Sequence, residues 1–125
     1  GDTGAYLMYS LARIAGVFRK AEMDVDLSKG ITSGVGFGED AERALLGHLL
    51  QYPNAVQRAA DACDPSIIAG FAHECSRLFN RFFSVCPILK SEGEVKYARL
   101  VLIRSTERVL TQALGLLGIE PVTAM

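Results

Sequence analysis

Apolar residues recur along this chain at the spacing of a helix and nowhere alternate over the length of a strand, and that pattern narrows the fold more than any other feature. Leu7, Leu11, Ile14 and Phe18 follow one another at i, i+4, i+7 and i+11, which is a single stripe along a helix. Ile68, Phe71, Cys75, Leu78 and Phe82 make a second stripe of the same kind. The punctuation is helical as well. Asp2 or Thr3 can cap a first helix that runs to about Met23. Residues 24–38 lose the periodicity and hold four glycines, so they read as a loop. A second helix is expected from Glu39, with acidic residues in its first turn, and it must stop before Pro53. A third, shorter helix covers 54–63. Asp64-Pro65 then supplies a cap followed by proline at the first helical position, opening a fourth helix that ends before Pro87. A last helix spans 94–117, with Gly118 as its stop. The expected fold class is all-α, a bundle of about five helices.

A chain of 125 residues is one domain, 1–125, with one core. No apolar run approaches the roughly 18 residues that a membrane span needs, and the start lacks the basic region and apolar stretch of a signal peptide. Three cysteines, odd in number and without a C-x-x-C pair, read as reduced and mostly buried thiols in a cytosolic protein. His48 and His73 stand too far apart in sequence to propose a metal pair, so no metal site is expected. No catalytic constellation can be read from the sequence. Gly34-Val35-Gly36-Phe37-Gly38 lacks both a preceding strand and a following G-K-[ST], which makes it a connector rather than a phosphate loop. A net charge of -1 argues against a general nucleic-acid coat. Any contact with RNA must rest on a local patch and on stacking.

Candidate residues lie on the polar faces. Tyr6, Tyr9, Arg13 and Lys20 share one face of the first helix, nearly opposite its apolar stripe. Rings and guanidinium planes stack on unpaired bases, and cations meet phosphates. The same tyrosines can instead pad a helix contact with their hydroxyls at the rim, and spacing alone favours that padding. The fourth helix offers His73, Arg77, Asn80 and Arg81, of which Arg77 and Arg81 are i, i+4 neighbours able to hold a phosphate jointly. Arg104, Arg108 and Thr111 line up on the last helix. A solvated face is the ordinary alternative for both rows.

Several segments carry a resemblance. The opening Gly1-Asp2-Thr3-Gly4-Ala5-Tyr6-Leu7-Met8-Tyr9-Ser10-Leu11-Ala12-Arg13 is similar to G-[DN]-T-G-P-Y-L-Q-Y-A-H-x-R, and Leu114 to Met125 is similar to L-x-L-L-G-I-x-x-P-x-x-M. Phe79-Asn80 and Cys86-Pro87-Ile88-Leu89-Lys90 look like F-N and C-P-V-L-K elements. Together these resemble the C-terminal, DALR-type anticodon-binding helical domain of arginyl-tRNA synthetases, over nearly the whole chain. The resemblance implies an RNA-binding set of Tyr6, Tyr9, Arg13, Phe71, Arg77, Asn80 and Met125. Phe71 stands where the family commonly has a tyrosine, and Met125 matches a terminal methionine. Ala5, Met8 and Leu11 replace the usual proline, glutamine and histidine, and Ala124 stands where a basic residue is frequent.

What the resemblance implies about function is a cytoplasmic arginine–tRNA ligase whose ATP-dependent catalytic domain lies outside this chain. This domain itself would hold no catalytic residue and no cofactor. Its partners would be the tRNA(Arg) anticodon loop and its own catalytic domain, with neither membrane nor DNA involved. The alternative is a helical protein–protein interaction module without RNA binding, using the exposed tyrosines as its patch. A third reading is a fragment that mainly supports the folding of its parent. A face left apolar by the missing partner domain could also lead the domain to self-associate.

Overall fold

The computed structural model describes residues 3–29 and 37–119. It contains five α-helices, α1 (Thr3–Ala21), α2 (Asp40–Leu50), α3 (Tyr52–Ala62), α4 (Ser66–Val85) and α5 (Gly93–Leu116), with a 3-10 turn at Leu27–Lys29. No strand occurs among the described residues. The part of the 24–38 stretch between residues 30 and 36 lies outside them.

Local chemistry explains the helix ends. Glu39 and Glu42 form a capping box at the start of α2, in which the Glu39 N–H donates to Glu42 Oε1 at 2.9 Å. Only Gln51 separates α2 from α3. The helix break expected before Pro53 therefore shrinks to one residue, because proline in a first turn loses only an N–H that has no helical partner. Asp64 starts α4 as its sequence suggests, although the regular helix begins after Pro65. Its Oδ1 accepts from the Ser66 N–H at 3.0 Å and from the Ser66 hydroxyl at 2.6 Å. Gly118, at φ +75°, turns the chain out of α5. The Ile119 N–H then closes on the Leu114 carbonyl at 2.9 Å, and the Ile119 side chain reaches the first turn of α1 beside Gly4.

α4 occupies the centre and packs against α1, α2, α3 and α5. Its Ala72, Cys75, Phe79 and Phe82 are fully buried, and Leu7, Ile14, Leu45, Leu100, Ile103, Leu110 and Leu114 close around them. Full burial contributes about 1.5–3 kcal/mol for each large side chain, so the aromatic pair of α4 dominates the core. Cys75 and Cys86 are buried and Cys63 is exposed, all three as free thiols. Burial, with a smaller push from Glu74, raises the Cys75 thiol to about 12 and keeps it inert.

Two arginines are used as internal ties. Arg99 Nε of α5 meets Glu42 Oε2 of α2 at 3.0 Å, in a pair whose side chains are only 12% and 5% exposed. Arg99 Nη1 also donates to the Pro87 carbonyl, joining the α4–α5 connection to the same knot. Arg104, expected on a solvated stripe with Arg108 and Thr111, instead lies over the Phe18 ring at 3.6 Å and pairs with Asp24 and Glu107. Arg108 and Thr111 remain on the surface.

Truncating either partner of the Glu42–Arg99 pair strands a buried charge, which costs about 3–5 kcal/mol. Urea unfolding of Glu42→Ala and of Arg99→Ala is expected to register that loss. The acid limb of stability has a separate source. Ser66 holds the Asp64 carboxyl below its ordinary 3.8, first through its hydroxyl and then through its N–H. The Val25 N–H, and after it Arg104, lower Asp24 in the same direction. Groups depressed on folding stabilise fully above the unfolded value and lose that contribution as pH falls through the folded one. Asp64→Ala and Asp24→Ala should therefore melt below wild type near neutrality, and the gap should close as the pH drops below 3.8.

Candidate nucleic-acid interface

The polar faces read from the sequence come together along the seam between α1 and α4, and the side-chain amide of Asn80 is their meeting point. Asn80 Nδ2 donates to the Ser76 carbonyl of its own helix at 2.9 Å and to Ser10 Oγ of α1 at 3.0 Å, with the Tyr6 hydroxyl at 3.5 Å. Asn80 Oδ1 accepts from Arg13 Nη1 at 2.9 Å. Arginine can only donate, so this contact fixes which way the amide points. The second arm of Arg13 donates to the Tyr9 hydroxyl at 2.6 Å.

Arg13 is held by rings as well as by hydrogen bonds. Its guanidinium carbon lies 4.3 Å from the Phe83 centroid and 4.9 Å from that of Tyr9, within cation–π range of both. Tyr6 is half-buried, its ring 5.1 Å from His73 of α4, whereas Tyr9 is 49% exposed. The padding expected of these tyrosines therefore fits Tyr6 and not Tyr9. Tyr6 pads the helix contact, and Tyr9 presents a face to solvent with its hydroxyl tethered. Beyond Arg13 an open groove of about 600 Å³ runs between α1 and the α4–α5 connection, with Lys20 and Lys90 among its lining residues.

The other expected site residues lie elsewhere. Phe71 is 7% exposed and stacks on His48, centroids 4.0 Å apart and planes at 15°, with Tyr52 tilted against its ring. His48 Nε2–H also donates to the Phe71 carbonyl at 2.9 Å, since a carbonyl can only accept. This aromatic group ties α2, α3 and α4 together, and Phe71 has no part in the seam surface. Arg77 is exposed and pairs with Glu74 one turn before it. Met125 lies outside the described residues. Sequence reasoning missed Phe83 and Ser10. The signal for Phe83 was its position three residues after Asn80, and that for Ser10 its place between Tyr6 and Arg13 on one helical face.

Comparison with known proteins places the fold. The fold superposes on Thermus thermophilus arginyl-tRNA synthetase with a TM-score of 0.81 and 28% identity, covering 100% of this chain and 21% of that one. The arginine–tRNA ligase of Chromobacterium violaceum is 38% identical over 125 residues, and that of Alcanivorax borkumensis is 36% identical over 126. Each alignment takes in all of this chain and 21% of the relative, so the chain spans about a fifth of the length of these proteins. The class that the fold defines is a helical anticodon-binding domain. Residues 7–125 match the DALR anticodon binding domain, and the chain belongs to that family, as the homologue of the C-terminal part of arginine–tRNA ligases.

Replacing Asn80 by leucine removes both ends of this junction and leaves Arg13 and the buried Ser10 hydroxyl short of a partner. A loss of about 1–3 kcal/mol is expected in denaturant unfolding. Tyr9→Ala, which removes a solvent-exposed hydrogen bond and ring contact to Arg13, should cost less, about 0.5–1.5 kcal/mol.

Proposed function

We propose that this domain grips the anticodon loop of tRNA(Arg) through the α1–α4 seam. In doing so it positions the acceptor end on the ATP-dependent catalytic part of a cytoplasmic arginine–tRNA ligase. The observation that carries the reading is the convergence of Tyr6, Tyr9, Arg13 and Asn80 from two helices into one hydrogen-bonded cluster with Tyr9 exposed. A tethered ring beside a fixed guanidinium is a surface for an unstacked base, because its geometry is set before the ligand arrives. Binding energy gained this far from the reacting atoms is used to orient them. The chemistry of arginine activation belongs to the remainder of the parent enzyme, and this domain contributes grip and register.

Membership of an anticodon-binding family supports the RNA reading over a purely protein-binding patch, as does the position of the cluster on the face the sequence resemblance assigns to the loop. The overall charge of -1 requires that few phosphates be held, through Arg13 and the lysines near it. With about three phosphate contacts to single-stranded loop, log K should fall with log salt at a slope near -2. A hydrophobic protein contact would be nearly insensitive to salt.

Titration into a labelled tRNA(Arg) anticodon stem-loop, with a loop carrying a changed middle base as control, tests this directly. Tyr6→Ala and Tyr9→Ala should each weaken binding by about 1–3 kcal/mol. Arg13→Ala should weaken it and flatten the salt slope. Unchanged affinity in all three variants would sink the assignment.

A further inference from the structure

α3 packs on α2 and α4, and α5 packs on α1, α2 and α4, but these two helices do not pack closely on each other. An open cleft of about 700 Å³ lies between them, lined by Tyr52, Pro53 and Val56 of α3 and by Gln112, Gly115 and Leu116 of α5. None of the six is charged, on a chain in which 22% of residues are. Leu116 is 58% exposed, and a Cβ built on Gly115 meets nothing within 4 Å. Leu50, two residues before Tyr52, is 67% exposed. Clustered apolar exposure of this kind marks a face that something covers.

The entry point of the rest of the parent protein says what covers it. The chain is the homologue of the C-terminal part of arginine–tRNA ligases and spans about a fifth of their length, so most of such a protein precedes residue 1. That preceding part arrives at the start of α1. There Gly4 lies against Ile119, a Cβ on it standing 3.3 Å from Ile119 Cδ1, and Ile119 follows Leu116 by three residues. Entry point and cleft therefore share one end of the bundle. The cleft offers no cation to a phosphate, which sets it against RNA. A tethered neighbour meets it at an effective concentration of about mM, so a patch of modest area is enough.

We propose that the α3–α5 cleft is the docking face for the preceding, catalytic part of the parent ligase, which seats apolar side chains between Val56 and Leu116. The inference rests on the chain being the C-terminal part of such an enzyme, and not on which face holds RNA. Docking there fixes the orientation of the domain relative to the catalytic part, which a flexible joint would leave free.

Maleimide labelling of one engineered thiol reads the dock, in chain 1–125 and in the full-length parent ligase. Cys63, which is exposed, is first removed as Cys63→Ser, while Cys75 and Cys86 are buried. Leu116→Cys reports on the cleft, and Glu94→Cys, exposed at the other end of α5, is the reference. Labelling falls with the fraction of molecules in which a site is open. The rate at Leu116→Cys relative to Glu94→Cys is expected to be about tenfold lower in the parent than in chain 1–125. Gly115→Arg improves helix propensity and suits the dipole at a helix C-terminus, so it fills the cleft without unfolding α5. In the parent it should bring the ratio to within about twofold of that in chain 1–125. Tyr9→Ala and Arg13→Ala should leave the ratio unchanged, so the dock and the seam fail separately.

An equal ratio in the parent and in chain 1–125 would overturn the dock, whatever the stem-loop titration shows. So would a low ratio that Gly115→Arg does not raise, since the shielding would then come from elsewhere. A ratio that falls as chain 1–125 is concentrated would give the cleft to a second copy, and one that falls only on adding the anticodon stem-loop would give it to RNA. Either result overturns the proposal.

Discussion

The central position of α4, packed against four other helices and open to water along one stripe through Gly70, His73, Arg77 and Arg81, is the constraint from which the other features follow. A helix that meets four neighbours turns most of its perimeter inward, and Ala72, Cys75, Phe79 and Phe82 fill those inward faces with apolar groups. A buried polar atom on such a helix depends for its partner on whatever packs against it, and Ser76 Oγ has none among the described residues. Asn80 is the case in point. Lying next to the buried Phe79, its amide finds its own helix on one side and Ser10, Tyr6 and Arg13 of α1 on the other. The requirement that stabilises the core thereby also assembles the surface.

Arginine is divided between two tasks in this fold. Arg99 and Arg104 are spent inside the bundle, one on Glu42 and the Pro87 carbonyl, the other on Phe18, Asp24 and Glu107. Their planar forks suit such sites, since one side chain can satisfy several acceptors in fixed directions. Arg13 stands between the tasks. It is clamped by Asn80, Tyr9 and Phe83, yet it lies at the edge of an open groove. Side chains held in this way lose little freedom on binding, which is what a recognition surface with few charges needs in order to compete with a broadly basic one.

The number and extent of the helices were legible in the sequence because local signals set them. Apolar periodicity, the Asp64-Pro65 start and the Gly118 stop act over one or two turns, and the observed elements follow them closely. The membership of a helical anticodon-binding family was legible too, since the family's pattern is carried by runs of adjacent residues. Where reading failed, the reason was distance. Arg104 looks solvated on its own helix, and only the approach of Asp24 and Phe18 reveals it as a tie. Phe71 lies on the apolar side of α4, where stacking on His48 and a tilted contact with Tyr52 use its ring.

The sequence by itself thus determined which segments are helical, which face of the first and fourth helices is apolar, and to which family the chain belongs. Each of these depends on residues close together along the chain. The tertiary structure alone decided which polar residues meet. Arg13 and Tyr6 reach Asn80 across 67 and 74 positions of sequence, and no local rule specifies such a pairing. It arises because the central helix must be covered, and the helix that covers it brings Tyr6, Ser10 and Arg13 to one amide.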